Sequence, residues 1–173
     1  MTTPLVLNKK VCLIGRFGVG KTSLVERFVH NRFGEEYLTT VGVRVSQKLL
    51  PPLEKAPGQV VQYRLLIWDI AGVEKFDRMT ATYLKGAAGV LAVADLTRPA
   101  TADILELLLQ EFRERNADGG IVLLGNKNDL TYSESVIEIL HAIGKQFQVP
   151  VLLTSAKTGN NVEQAFLKLA EQL

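Results

Sequence analysis

Gly15-Arg16-Phe17-Gly18-Val19-Gly20-Lys21-Thr22 is the stretch on which the reading of this chain turns. An apolar run, Val11-Cys12-Leu13-Ile14, precedes it, and a helix-like segment from Ser23 to Asn31 follows. Strand, glycine loop and helix together form the setting in which G-x-x-x-x-G-K-[ST] cradles phosphate. Gly15, Gly18 and Gly20 carry no Cβ, so the backbone through Phe17 and Val19 can wrap closely around a polyphosphate with its N–H groups inward. The helix that starts near Lys21 and Ser23 adds unpaired N–H groups and the positive end of its dipole. Lys21 can reach outer phosphates as a point charge, and the Thr22 hydroxyl can ligate Mg²⁺.

Working outward, 173 residues suffice for one domain with a full core, expected to span 1–173 without linker or repeat. Apolar residues make up 47% and charged residues 22%, as in a globular protein. The net charge of +2 is spread among interspersed acids and bases, so no nucleic-acid partner is expected. Cys12 is the one cysteine, which excludes an intrachain disulfide and reads as a small buried residue of a strand. Met1-Thr2-Thr3-Pro4 lacks the pattern of a signal peptide, and Glu171-Gln172-Leu173 has no cysteine for prenylation. The expectation is a cytoplasmic protein with no membrane anchor encoded in this chain. Peripheral recruitment would then need a partner or a tail that this chain does not carry.

Periodicity yields strands at Lys10–Ile14, Val41–Leu50, Val60–Trp68, Gly89–Ala94, Ile121–Leu124 and Val149–Thr154. The segment Pro51-Pro52-Leu53-Glu54-Lys55-Ala56-Pro57-Gly58 reads as a long hairpin loop, because prolines supply no ladder donor. Leu105, Leu108, Leu109 and Phe112 recur at helical spacing, as do Val136, Ile137, Leu140 and Ile143 behind Ser133 and Ser135. Asn160 and Glu163 have capping-box spacing before a last helix bearing Val162, Phe166, Leu169 and Leu173. The fold class is therefore α/β: a six-stranded, mostly parallel sheet with helices on both faces and ligands at the carboxyl ends of the strands.

Three further motifs fall at such ends. Asp69-Ile70-Ala71-Gly72 can hold Mg²⁺ through its carboxylate and bring the Gly72 N–H near a γ-phosphate; alone it is more often an ordinary turn, and its place after a glycine loop and a strand reverses that. Asn126-Lys127-Asn128-Asp129 offers a carboxylate that can accept from both N1–H and the 2-amino group of guanine, a donor pair adenine lacks. In isolation this is equally a plain polar turn. Ser155-Ala156-Lys157 places the Ala156 N–H where it can meet guanine O6.

In this order, the four motifs resemble the Ras-like small GTPases, with wording closest to the Rab branch. Thr39-Thr40-Val41-Gly42-Val43 and Tyr83-Leu84-Lys85-Gly86-Ala87 extend the resemblance over nearly the whole chain. It implies a P-loop small-GTPase fold that binds GTP/GDP with Mg²⁺. Lys21 and the loop amides would hold the β- and γ-phosphates, with Lys21, Thr40 and Gly72 at the reacting end. Thr22, Thr40 and Asp69 would serve the metal. Phe33 would meet the guanine edge and Tyr37 would close over the phosphates. Asn126, Lys127 and Asp129, backed by Ser155, Ala156 and Lys157, would read the base. Implied partners are effectors that dock on the switches and the edge of the second strand, an exchange factor and an activating protein.

Two positions depart from the family. Val73 follows Gly72, where the family usually has a glutamine that orients the attacking water. Phe17 replaces a residue that is glycine or another small one. Slow hydrolysis is the expectation, and a hydrolysis-deficient, GTP-bound module of the same fold is the alternative. An ATPase with the same loop is disfavoured by Asp129.

Overall fold

The computed structural model describes residues 5–34 and 38–173. Strand β1 (Leu5–Ile14) lies at the centre of the sheet, parallel to β4 (Gln59–Ile70) on one side and to β5 (Gly89–Asp95) on the other. The sheet continues through β6 (Gly120–Asn126) and β7 (Val151–Leu153), both parallel, while β2 (Val43–Leu49) pairs antiparallel with β4. The order β2-β4-β1-β5-β6-β7 reverses its direction of growth at β1. That reversal opens a crevice beyond the strand ends, where ligands of open α/β sheets bind.

The pleat of β1 explains the layers. Val11 and Leu13 point to one face, against Leu24, Val25 and Phe28 of α1 (Lys21–His30) and Val162, Phe166 and Leu169 of α5 (Val162–Ala170). Cys12 and Ile14 point to the other. There they meet Leu84 of α2 (Arg78–Leu84), Leu108 and Phe112 of α3 (Leu105–Arg115), and Leu140 of α4 (Glu134–Phe147). Phe28 and Phe166 stack with ring centroids 3.8 Å apart, joining α1 to α5. β5 and β6 are buried along their whole length, which is why they read as unbroken apolar runs.

Three expectations need correction. The sheet has a seventh strand, β3 (Leu53–Ala56), within the proline-bearing segment taken for a loop. It pairs with β4 beyond the end of β2, and Pro57-Gly58 closes a two-residue turn with Gly58 at φ 77. Pro51 and Pro52 fall where the ladder is interrupted. Leu50 N–H still donates to Tyr63 O, and the Gln62 side chain donates to the Leu50 carbonyl. The long loop is thus a continuation of the strand, on the same side of β4 as β2, and it leaves the outer edge of β2 uncovered by β3.

Asn160 does not cap α5. Asn161 is its N-cap, in the left-handed region, and spends its side-chain amide on Leu153 O at 2.9 Å. Periodicity also overlooked α2, a seven-residue helix started by Asp77, whose carboxylate accepts from Thr80 N–H. Among the described residues no helix is long and apolar enough to cross a membrane.

Candidate functional site

Beyond the carboxyl ends of β1, β4, β5, β6 and β7 lies a cavity of about 900 Å³. Phe17, Gly18, Gly20, Lys21, Thr22 and Ser23 line one part of it; Asn126, Lys127, Asp129, Ala156 and Lys157 line another. Phe33, Thr40 and Gly72 contribute to the wall between. Tyr37 lies outside the described residues.

The loop from Gly15 to Gly20 is shaped by what holds its carbonyls. Lys21 Nζ donates to Gly15 O at 3.1 Å and Arg16 O at 2.9 Å. Arg98 Nη2 donates to Phe17 O at 3.1 Å, Lys127 Nζ to Gly18 O at 2.9 Å, and Asn126 Nδ2 to Val19 O at 2.9 Å. Gly20 O accepts from Leu24 N–H as the first turn of α1. In a trans peptide the N–H opposes the C=O, so tying each carbonyl fixes the direction of the next N–H. Gly20, at φ 98, approaches Asn126 so closely that a Cβ would sit 2.3 Å from its Nδ2. Only glycine fits there.

Lys21 is buried, and burial lowers its ammonium to about 8 against the pull of Asp69 and Glu74. A cation held in that condition is ready for an anion. Arg16, beside it, pairs with Glu74 and so ties this loop to the segment after Gly72.

At the second pole, Thr22 Oγ1 donates to Asp69 Oδ2 at 2.5 Å and lies 2.7 Å from Thr40 Oγ1. Asp69 is buried, and burial raises its carboxyl above the usual range despite the Thr22 hydrogen bond and nearby Lys21. Its Oδ1 is buried with no partner among the described residues. Two hydroxyls and an orphaned carboxylate oxygen are the donors a hard cation requires, so this cluster fits Mg²⁺.

The third pole is the most tightly built. Asn126 Oδ1 accepts from Thr154 Oγ1 and Ala156 N–H, at 3.2 and 3.3 Å. Ser155 Oγ donates to Asp129 Oδ1 at 2.7 Å, orienting that carboxylate. Arg27 of α1 adds bonds to Ala156 O at 2.9 Å and Lys157 O at 2.6 Å. Sequence reasoning missed Arg27, Asp95 and Arg98, whose bonds to the loops of this site reach positions remote in the chain. Asp95 is 1% exposed and pairs with both Lys127 and Arg98. Burial works against its charge, yet the bonds from Lys127, Thr97 and Arg98 prevail and lower its pKa.

The two departures occupy different places. Phe17 lines the cavity with 46% of its surface exposed, so its ring is not folded away into the core. Val73 instead packs against the apolar cluster of α2 and α3, and its N–H donates to Gly15 O at 3.1 Å. Gly72 sits so close to the loop that a Cβ would meet Phe17 Cα at 2.3 Å.

A model of the Ras family matches residues 10–173. The chain is 37% identical over 170 residues to the GTP-binding protein ypt1 of Schizosaccharomyces pombe, covering 95% of this chain and 79% of that protein. It is 36% identical to the Ras-related protein YPTC6 of Chlamydomonas reinhardtii, over 95% of this chain and 74% of that one. The Ras-related protein Rab-1A of Dictyostelium discoideum is also 36% identical, over 95% and 79% respectively. The match spans the glycine loop, the Thr22–Asp69 cluster and the Asn126–Asp129 and Ser155–Lys157 segments alike, and on that ground this chain belongs to the Ras family of small GTPases, within its Rab branch.

Proposed function

We propose that residues 1–173 act as one guanine-nucleotide switch that binds GTP and GDP with Mg²⁺ and hydrolyses GTP slowly. The observation that carries this reading is the pairing of poles in one cavity. An oriented carboxylate, Asp129, stands at one end, and a buried lysine within a carbonyl-tied glycine loop stands at the other. Asp129 accepts the guanine N1–H and 2-amino protons, and the Ala156 N–H, which donates to Asn126 Oδ1 at 3.3 Å here, would turn from that bond to meet O6. Phe33 borders the base. Lys21 and the amides of the loop take the β- and γ-phosphates. Thr22, Thr40 and Asp69 hold Mg²⁺, which when bound neutralises charge on the β- and γ-phosphates. Thr40 and the Gly72 N–H then sense the γ-phosphate, which gives each nucleotide state its own surface for effectors. The outer edge of β2 is the expected place for a partner strand, and an exchange factor and an activating protein set the state. The setting is cytoplasmic, with membrane recruitment peripheral.

In hydrolysis, water attacks the γ-phosphorus, the bond to the β-bridging oxygen breaks, and GDP leaves with that electron pair. This chain supplies Lys21 for the developing charge. It supplies no side-chain hydrogen bond for the water at Val73, whose isopropyl group faces an apolar cluster. That favours the second reading as well: a module that persists with GTP and is governed by exchange or abundance.

Two measurements test these readings. In a competition titration, Asp129→Asn should lower GTP affinity about a hundredfold and gain xanthosine nucleotides, because an amide now faces the guanine donors. Unchanged GTP affinity would remove the guanine assignment. Single-turnover hydrolysis in Mg²⁺, with and without cell extract, separates a slow enzyme from a permanent binder.

A further inference from the structure

Arg98 belongs to none of the motifs, yet it touches the phosphate loop across 81 positions of sequence. It follows β5 and precedes the single turn of 3-10 helix at Pro99–Ala102. Its Nε donates to Asp95 Oδ2 at 2.9 Å while Nη2 donates to Phe17 O at 3.1 Å. The same oxygen of Asp95 lies 2.7 Å from Lys127 Nζ, which in turn donates to Gly18 O. Asp95 itself is immobilised: Oδ1 accepts from the backbone N–H and hydroxyl of Thr97, and its own N–H donates to Thr101 Oγ1. One buried carboxylate therefore holds two cations, and each cation holds one of two consecutive loop carbonyls.

We infer that Arg98, anchored by Asp95, is a positioning residue for nucleotide phosphate, acting through the Phe17–Gly18 peptide. The inference rests on the nucleotide-binding reading above. Holding Phe17 O aims the Gly18 N–H the opposite way, and Lys127 does the same for the Val19 N–H. Without Arg98, the Phe17–Gly18 peptide can rotate, since Gly18 accepts nearly any φ. The cradle then loses a preset donor and must reorder it on each binding event. A lysine at position 98 cannot replace the arginine. The guanidinium spans carboxylate and carbonyl with two separate N–H groups in a fixed plane, whereas an ammonium is a single point.

The test uses the full chain loaded with a fluorescent GDP analogue, alongside phosphorus NMR of bound GDP. Arg98→Ala and Arg98→Lys should each speed GDP release about three- to tenfold, the modest end for a half-exposed charged bond. The β-phosphate resonance should move while the α-phosphate resonance stays. Asp95→Asn, which loosens both cations, should release GDP faster than either. Release within twofold of the parent with an unmoved β resonance would overturn the proposal. So would equal movement of both resonances together with a lower unfolding temperature, which marks general loosening. Full rescue by Arg98→Lys would overturn the two-armed geometry. A parent chain that holds no GDP would defeat the nucleotide-binding reading itself, a result distinct from a parent that binds and variants that behave like it.

Discussion

The end of the cavity proposed for the base and the end proposed for the switches are built from motifs of similar length, but they are held in different ways. Around the base, Asn126 and Ser155 are at most 1% exposed, and their side chains fix β6, the loop after β7 and the phosphate loop at once. Around the switches, Leu38 and Val41 are 78% and 87% exposed. Among the described residues, the two proposed switch segments join each other through Ala71 N–H to Gly42 O, and the rest of the structure through a few further bonds. Local stability follows the density of buried bonds, and segments with few of them open first. On the proposed reading, then, base choice rests on a part of the fold held by buried bonds, whereas γ-phosphate sensing rests on segments held by few of them.

The largest expected effect breaks the rigid half. Asn126→Ala strands the Val19 carbonyl, the Thr154 hydroxyl and the Ala156 N–H in a buried site, at a cost of about 2–4 kcal/mol in unfolding free energy. Urea denaturation would measure it. A loss below about 0.5 kcal/mol, ordinary for a surface change, would show that the base end is no more rigid than the switches.

Next is Lys21, in the glycine loop. Burial lowers its folded-state pKa to about 8 from an ordinary 10.5. The unfolded chain therefore keeps that proton to higher pH, and stability rises as pH climbs from about 8 toward 10.5. Cys12 opposes this at higher pH. Its folded thiol is raised to about 12 by burial, so the unfolded thiol ionises first above its ordinary 9.0 and stability falls. Without nucleotide, stability should rise by about 1 kcal/mol between roughly pH 7 and pH 9. The rise should vanish in Lys21→Met. Persistence of the full rise in that variant would assign it to another group.

The switch half is sharpened by hydrolysis. Val73 faces an apolar cluster and Phe17 lines the cavity, so Val73→Gln alone should change the single-turnover rate less than threefold, about 0.6 kcal/mol. Combined with Phe17→Gly it should exceed the sum of the singles by about 0.5–1 kcal/mol, as neighbours that share space couple. Strictly additive singles would mean that the two positions act apart.

The finest comparison is amide exchange. Replacing a GTP analogue by GDP should raise exchange across Leu38–Gly42 and Gly72–Thr82, while Asn126–Asp129 and Ser155–Lys157 stay unchanged. Equal changes in both halves would erase the distinction.

Much of this was legible in the chain because the signals are local. A Gly-x-x-x-x-Gly-Lys-Thr loop after an apolar run, and carboxylates at the ends of two other strands, already pointed to the strand ends where the cavity lies. Period-2 and period-3.6 patterns announced the layers, since a strand or helix must bury one face whatever it packs on. Other features waited on tertiary structure because they are bonds between residues far apart in sequence. Pro51 and Pro52 suggested the end of a strand, but β4 is long enough to pair with both β2 and β3 around them. Asn160 and Glu163 looked like a cap until Asn161 took that place and turned its amide to β7. Nothing adjacent to Arg98 points to Phe17, and nothing near Asp95 points to Lys127. Local chemistry decided what kind of ligand the chain can hold. The meeting of strand ends decided which side chains hold the loop that holds it, because only folding brings a buried carboxylate within reach of two cations.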